Sequence, residues 1–258
     1  MRFASLGSGS EGNGLLIEST DGLRVTRVLI DCGFSLSDTE RRLRAAGVEP
    51  DSLDAVLVTH EHSDHVGGVF RLSAAHGVPV FLTHGTLLGS GKVSGGATLT
   101  LIDPLHTFEA GGFSIEPVAV PHDAREPVQY VIADGRVRLG VLTDIGHGTA
   151  HVQRAYSGLD ALVLECNHDS RMLADNRRYP EMLKRRISGP YGHLSNQASA
   201  DILASLDRSR LRTVVAAHLS RKNNTEDLAR AALAGVLQSE AEAIAVADQD
   251  TGLHWLEV

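Results

Sequence analysis

Most of the chemistry this sequence can do is concentrated in Thr59-His60-Glu61-His62-Ser63-Asp64-His65, which Val66-Gly67-Gly68 follows. Histidine and aspartate at 60, 62, 64 and 65 are metal-ligand types at metal-ligand spacing. In an extended segment side chains alternate, so His60 and His62 point the same way. Asp64 and His65 then turn into a helix and reach a second point nearby, so the run can serve two ions. Imidazole and carboxylate suit zinc, manganese or iron. The absence of a nearby cysteine argues against a closed structural zinc site.

The elements that must position this run are readable around it. It follows an apolar stretch, Ala55 to Val58. Similar β-type runs recur at Val28–Ile30, Val78–Leu82, Val128–Ile132, Leu139–Leu142, Ala161–Leu164, Val214–Ala217 and Ile244–Ala247. Between them lie helical stretches: Ser37 to Ala46, a helix capped by Ser195 or Asn196 and running to about Leu206, and a third capped by Asn224, from Thr225 to about Leu237. A hairpin turns at Asp21-Gly22. Strands alternating with helices predict α/β layering in one domain spanning 1–258. Asp31, His60, Asp144 and His218 each end an apolar run, and His122 follows Pro117–Pro121. Ligands at the carboxyl ends of strands converge on one rim of a layered sheet fold. Of the 13 histidines, His76, His84, His106, His151 and His254 stand in polar or turn contexts and are read as surface or local structural residues. His147, close after Asp144, is a candidate cleft residue.

A chain of 258 residues is long enough for a substantial core. No segment is apolar enough to span a bilayer. The start, Met1 to Gly7, is too soon broken by glycine for a signal peptide, so cytoplasmic residence is expected. Cys32 and Cys166 form no CxxC pair and are expected to be reduced and structural. The net charge of −8 excludes an unspecific nucleic-acid coat protein but not a nuclease, because a local patch and bound cations oppose the global sign. Such a patch exists: Arg171, Arg177, Arg178, Lys184, Arg185 and Arg186. Arginine clusters bind phosphates well, although a solvated helix face reads the same way. Tyr179 and Tyr191 beside it are able to stack on a base or to pack in the core.

His60-x-His62-x-Asp64-His65, with Asp31 upstream and His122, Asp144 and His218 downstream, resembles the metallo-β-lactamase fold hydrolases over nearly the whole chain. Gly7-Ser8-Gly9-Ser10-x-Gly12-Asn13, Val120-Pro121-His122-Asp123-Ala124, Glu165-Cys166-Asn167-His168-Asp169, Gly192-His193-Leu194-Ser195-Asn196 and His218-Leu219-Ser220-x-x-Asn223-Asn224 narrow the resemblance to the YycJ/WalJ-type branch. The resemblance implies an αββα sandwich of two mixed sheets with the site at one edge. It assigns His60, His62 and His122 to one metal and Asp64, His65 and His218 to the other, with Asp144 bridging. Asp31 would orient a ligand imidazole. Relatives that reduce oxygen tend to carry glutamate where His62 stands, so histidine there favours hydrolysis.

The activity implied is a metal-dependent phosphodiesterase with DNA rather than RNA as substrate, a 5′-to-3′ exonuclease using a hydroxide shared by two divalent ions (zinc or manganese, with iron possible) about 3.5–4 Å apart. Asp64, His193 and His168 form the candidate catalytic set. His193 is the first candidate for the acid that protonates the leaving alkoxide, and His168 the second. Ser8, Asn13, Ser220 and Asn223 are candidate supporting or substrate-contacting residues. The glycine-rich turn carrying Ser8, Ser10 and Asn13 can offer backbone amides to an anion, or can simply be a hairpin turn. The alternative activity is hydrolysis of a small phosphodiester or a thioester; a metal-loaded scaffold is the non-enzymatic one.

Overall fold

Fourteen strands pair into two sheets of seven, each part antiparallel and part parallel. The computed structural model describes residues 1–91, 93 and 95–258. The first sheet holds β1 (Arg2–Gly7), β2 (Gly14–Thr20), β3 (Val25–Ile30), β4 (Ala55–Leu57), β5 (Val80–Thr83) and β6 (Leu99–Ile102). The second holds β7 (Phe108–Ala110), β8 (Phe113–Ala119), β9 (Val128–Ala133), β10 (Arg138–Leu142), β11 (Ala161–Glu165), β12 (Thr213–Ala217) and β13 (Ala245–Val246). The last strand, β14 (Leu253–Glu257), returns to the first sheet beside β1, giving the orders β14-β1-β2-β3-β4-β5-β6 and β13-β12-β11-β10-β9-β8-β7. Pairing is parallel from β3 to β6 and from β10 to β13. All of these strands but β6 read as apolar runs, as strands buried on both faces should; β6 is at the sheet edge with Thr100 and Leu101 exposed.

Helices cover both outer faces. α1 (Leu36–Ala45), α2 (Ser63–Val66), α3 (Val69–His76) and α4 (His84–Gly89) accompany the first sheet. α5 (Ala150–Ala155), α6 (Ser170–Asp175), α7 (Glu181–Ile187), α8 (Asn196–Ser205) and α9 (Glu226–Leu237) accompany the second. The central core lies between the sheets, where Phe3, Ile17, Val28 and Leu57 meet Ile115, Tyr130, Val141 and Val215. Leu16, Leu29, Leu43, Val56 and Leu72 fill the layer under the first helices, and Leu142, Leu162, Leu164, Leu203 and Leu233 the layer under the second. The result is the αββα sandwich.

Helix starts differ from the sequence reading in two places: α1 begins at Leu36, capped by Ser35, where Ser37 was expected, and α9 has another cap. Ser195 caps α8 as expected, accepting from the Ala198 amide. α9 is capped by Thr225 and not Asn224, because the Thr225 hydroxyl reaches the Leu228 amide. Asn224 is instead buried in a reciprocal amide pair with Asn196 (2.8 and 2.9 Å) and donates to the Cys166 carbonyl at 2.7 Å. Both cysteines are free and buried, and burial pushes their thiols up to about 12.

Candidate metal centre

The rim expected from the sequence exists. β3 leads into Asp31, β4 into His60, β8 into His122, β10 into Asp144 and β12 into His218, all at strand carboxyl ends. Asp31, Asp144 and His218 adopt left-handed backbone (φ 60°, 49° and 56°). This conformation disfavours most side chains and is held where the surroundings over-determine it. It turns the chain sharply as each strand ends, so the side chain is aimed along the rim.

His62 sits at the start of α2 in extended backbone, with φ −61° and ψ 145°. His62 Nδ1 stands 3.0 Å from His60 Nε2 and 3.3 Å from His122 Nε2. Asp64 and His65 lie on α2. Asp64 Oδ2 is 3.5 Å from His65 Nε2 and 3.8 Å from His218 Nε2. Asp144 stands between the two groups, its Oδ2 3.2 Å from His65 Nε2 and its Oδ1 3.9 Å from His122 Nε2.

Hydrogen bonds on the far side of each ring set the tautomers. His65 Nδ1 donates to Asp31 Oδ2 at 2.8 Å. His60 Nδ1 donates to the Thr59 hydroxyl at 2.9 Å, which in turn donates to Asp31 Oδ2 at 2.7 Å. His122 Nδ1 faces the Gly192 carbonyl at 3.1 Å. His218 Nδ1 faces Glu165 Oε1 at 3.3 Å. Four imidazoles therefore present Nε2 lone pairs inward, the arrangement outer partners impose on metal-ligating histidines.

This donor set fits a divalent cation. A proton on His62 Nδ1 satisfies only one of its two facing nitrogens, whereas a cation satisfies all three. Zinc–nitrogen bonds of about 2.0–2.1 Å, arranged tetrahedrally, separate nitrogens by roughly 3.3 Å. Asp144 Oδ2 and His218 Nε2 are buried without a hydrogen-bond partner among the described residues, an expensive state that a cation relieves. The groups His60/His62/His122, His60/His65/Asp144 and Asp64/His65/His218 each converge on one point. Burial opposes ionisation of Asp64 and Asp144, but His218 and His65 outweigh it and hold both carboxyls well below the usual range.

Glu165, the last residue of β11, was quoted in the sequence only as part of a motif. It is fully buried, and its Oε1 accepts from His193 Nδ1 at 2.7 Å as well as facing His218. Its Oε2 accepts the Leu194 and Ile145 amides. Burial would raise its carboxyl, yet His193 brings it down to about 2. The signal was available: like the other rim residues, Glu165 ends an apolar run. Asp123 was also missed. Its Oδ1 lies 3.4 Å from His122 Nε2, while its Oδ2 pairs with Arg186 at 2.7 Å.

A cleft of about 350 Å3 opens over these groups, lined by His62, Asp64, Asp144, His193 and His218 on the metal side. His193 is on this wall; His168 is not. His168 is buried, and burial lowers its imidazole, so it is removed from the reacting groups and disfavoured as a proton donor. Burial lowers His193 too, but Glu165 and Asp144 reverse this and raise it. Ser220 reaches the cleft. Asn223 does not; it is buried, donates to the Ser220 hydroxyl at 3.2 Å and accepts from Asn176 at 2.6 Å. Ser10 of the glycine-rich turn lines the cleft. The Ser8 hydroxyl accepts the His218 amide, Asn13 Oδ1 accepts the Gly9 amide, and the amides of Ser8, Glu11 and Gly12 are engaged within the fold. Asn13 Nδ2 lies against Asp64 and His65. His147 holds the Pro190 carbonyl instead of lining the cleft. His76 and His106 have carboxylate partners, Glu40 and Asp103. Of the basic run only Arg186 lines the cleft.

A family model described as a β-lactamase superfamily domain matches residues 26–219. The chain belongs to the metallo-β-lactamase superfamily. Within it, the chain is 32% identical to the exodeoxyribonuclease YycJ of Bacillus anthracis, over 97% of this chain and 96% of that one, and so stands in the YycJ/WalJ branch. Its fold matches the metallo-β-lactamase fold protein YhfI of Bacillus subtilis (TM-score 0.75, 18% identity, 99% of each chain). It also matches zinc-bound PqqB of Methylobacterium extorquens (TM-score 0.72, 20% identity, 100% of each chain). This superfamily member is a hydrolase, and its fold implies divalent metal ions. No helix among the described residues is long and apolar enough to cross a membrane.

Proposed function

We propose that this chain is a two-metal phosphodiesterase that degrades DNA from an end, in the 5′-to-3′ direction, with zinc or manganese in the groups His60/His62/His122 and Asp64/His65/His218 and Asp144 between them. The observation that carries the reading is the pair of converging ligand groups sharing one buried carboxylate. The name of the exodeoxyribonuclease relative supports DNA as the substrate. When bound, the metals supply an activated water and neutralise charge on the phosphoryl oxygens.

The protein's own groups do the rest. Asp31 fixes the rings of His65 and, through Thr59, His60. Glu165 fixes His193 with its Nδ1 proton directed at the carboxylate, which leaves Nε2 free to hand a proton to the leaving alkoxide. Arg186, held at the cleft edge by Asp123, faces the path of a phosphate chain.

The test is purified protein, its metal content measured, incubated with single- and double-stranded DNA labelled at the 5′ end. Metal-dependent release of labelled mononucleotides before shorter strands appear is the expected result. A filled site with no cleavage of any DNA overturns the reading. Hydrolysis of bis-p-nitrophenyl phosphate alone redirects it to small phosphodiesters.

A further inference from the structure

Besides the metal-holding residues, the cleft has an apolar lining with no catalytic duty. It is built by Tyr179, Leu183 and Ile187. Leu183 and Ile187 are four apart on α7 and so share one face. No residue of α7 is fully buried; this apolar face is spent on the cleft and not on the core. Tyr179 is half-buried. Lys222 Nζ lies over that ring, 5.8 Å from the centroid, and Arg186 stands at the edge of the same wall.

We infer that Tyr179, Leu183 and Ile187 form a subsite for one unpaired nucleobase at the end of a single strand, with Arg186 beside it for the adjoining phosphate. The inference rests on the DNA-hydrolase reading above and adds what that reading lacks, a reason for strand-end selectivity. With a phosphodiester at the metal-holding residues, the group next to it along the chain is a nucleoside. The apolar lining meets that nucleoside with an aromatic plane and two aliphatic side chains, with Arg186 in the same cleft to match phosphate. Aromatic stacking of this kind accepts any base, because every base has a π-face. About 350 Å3 is near the lower end of ligand-pocket sizes, enough for a nucleoside.

The test compares strands carrying an abasic residue at either of the first two 5′ positions with intact strands. For the metal-loaded wild type, kcat/KM is expected to fall about ten-fold or more when the base is missing at the position that docks, in keeping with the cost of losing a stacked base. Tyr179→Ala should abolish that discrimination and raise KM more than it lowers kcat; Tyr179→Phe should retain it. A direct readout uses 2-aminopurine at the same position in a hydrolysis-resistant phosphorothioate strand, whose fluorescence is quenched by stacking in wild type and Tyr179→Phe but not in Tyr179→Ala. Cleavage of DNA with equal kcat/KM on intact and abasic ends overturns the subsite and leaves the nuclease reading standing. Absence of DNA cleavage overturns the nuclease reading; the fluorescence titration then decides the subsite alone, and equal signals in wild type and Tyr179→Ala overturn it.

Discussion

At the scale of single residues, the geometry separates groups that the sequence could only place side by side. His193 and His168 were both candidate acids, but only His193 lines the cleft, and it alone is held by a carboxylate. Replacing His193 by Ala should lower kcat on DNA about 10²–10⁴-fold, the usual worth of a positioned acid. The loss should nearly vanish on a phosphodiester with a p-nitrophenolate leaving group, which departs without a proton. His168→Ala should show no such dependence on the leaving group. An equal loss on both substrates for His193→Ala would remove it from the acid's role. Glu165 acts through its neighbours. Glu165→Gln keeps the size but loses the charge that draws the Nδ1 protons of His193 and His218 to its own side and leaves Nε2 facing the cleft. We expect about a 10–100-fold loss in kcat or metal affinity, as for other outer partners of metal ligands, read by metal titration beside kinetics. The candidate ligands His60, His62, Asp64 and His65 were legible because such side chains have few other reasons to cluster within six positions, whereas His122, Asp144 and His218 were assigned through the family resemblance. Glu165 was not, since a carboxylate after an apolar run also reads as an ordinary strand end. Only the three-dimensional convergence on His193 and His218 gives it a role.

At the scale of elements, the site depends on how closely β3 and α2 approach. Gly33, just past β3, lies against the Asp64 backbone so tightly that a Cβ there would stand 1.8 Å from the Asp64 carbonyl oxygen. Gly33→Ala must push α2 outward and carry Asp64 and His65 with it. It should cost about 1–3 kcal/mol, as overpacking does, and weaken metal binding in the same variant. Gly235, exposed in α9, meets nothing within 4 Å. Gly235→Ala should instead stabilise the chain by about 0.5–1 kcal/mol through helix propensity and leave metal binding alone. Thermal melts and metal titrations of the pair separate a packing constraint at the site from a general effect of adding a methyl. The elements were legible where one physical signal ruled: parallel strands as apolar runs, α8 from its serine cap. They were less so where two capping side chains adjoined. Asn224 and Thr225 both suit a helix start, and the choice was made by Asn196, a tertiary partner no local pattern announces.

At the scale of the whole molecule, the candidate ligands come from opposite halves of the sandwich. His60, His62, Asp64 and His65 follow strands of the first sheet; His122, Asp144 and His218 follow strands of the second. Their contacts cross the seam, as His65 with Asp144 and His62 with His122 do. Metal bound by these groups would clasp the two sheets at one rim, and its free energy would add to folding. At metal concentrations 100-fold above Kd one site contributes about 2.7 kcal/mol, which in a chain of this length shifts Tm by roughly 5–10 °C. Chelation should lower Tm by at least that much, and zinc or manganese should restore it. The loosening should be local: amide exchange should speed at the strand ends around Asp31, Asp144 and His218, where left-handed backbone is held by its surroundings, and least in the central core around Ile17 and Tyr130. Uniform acceleration through both sheets would mean that metal stabilises the fold globally and that the rim is no separate clasp. No change in Tm on complete, verified metal removal would mean that the converging imidazoles and carboxylates are held by the scaffold alone.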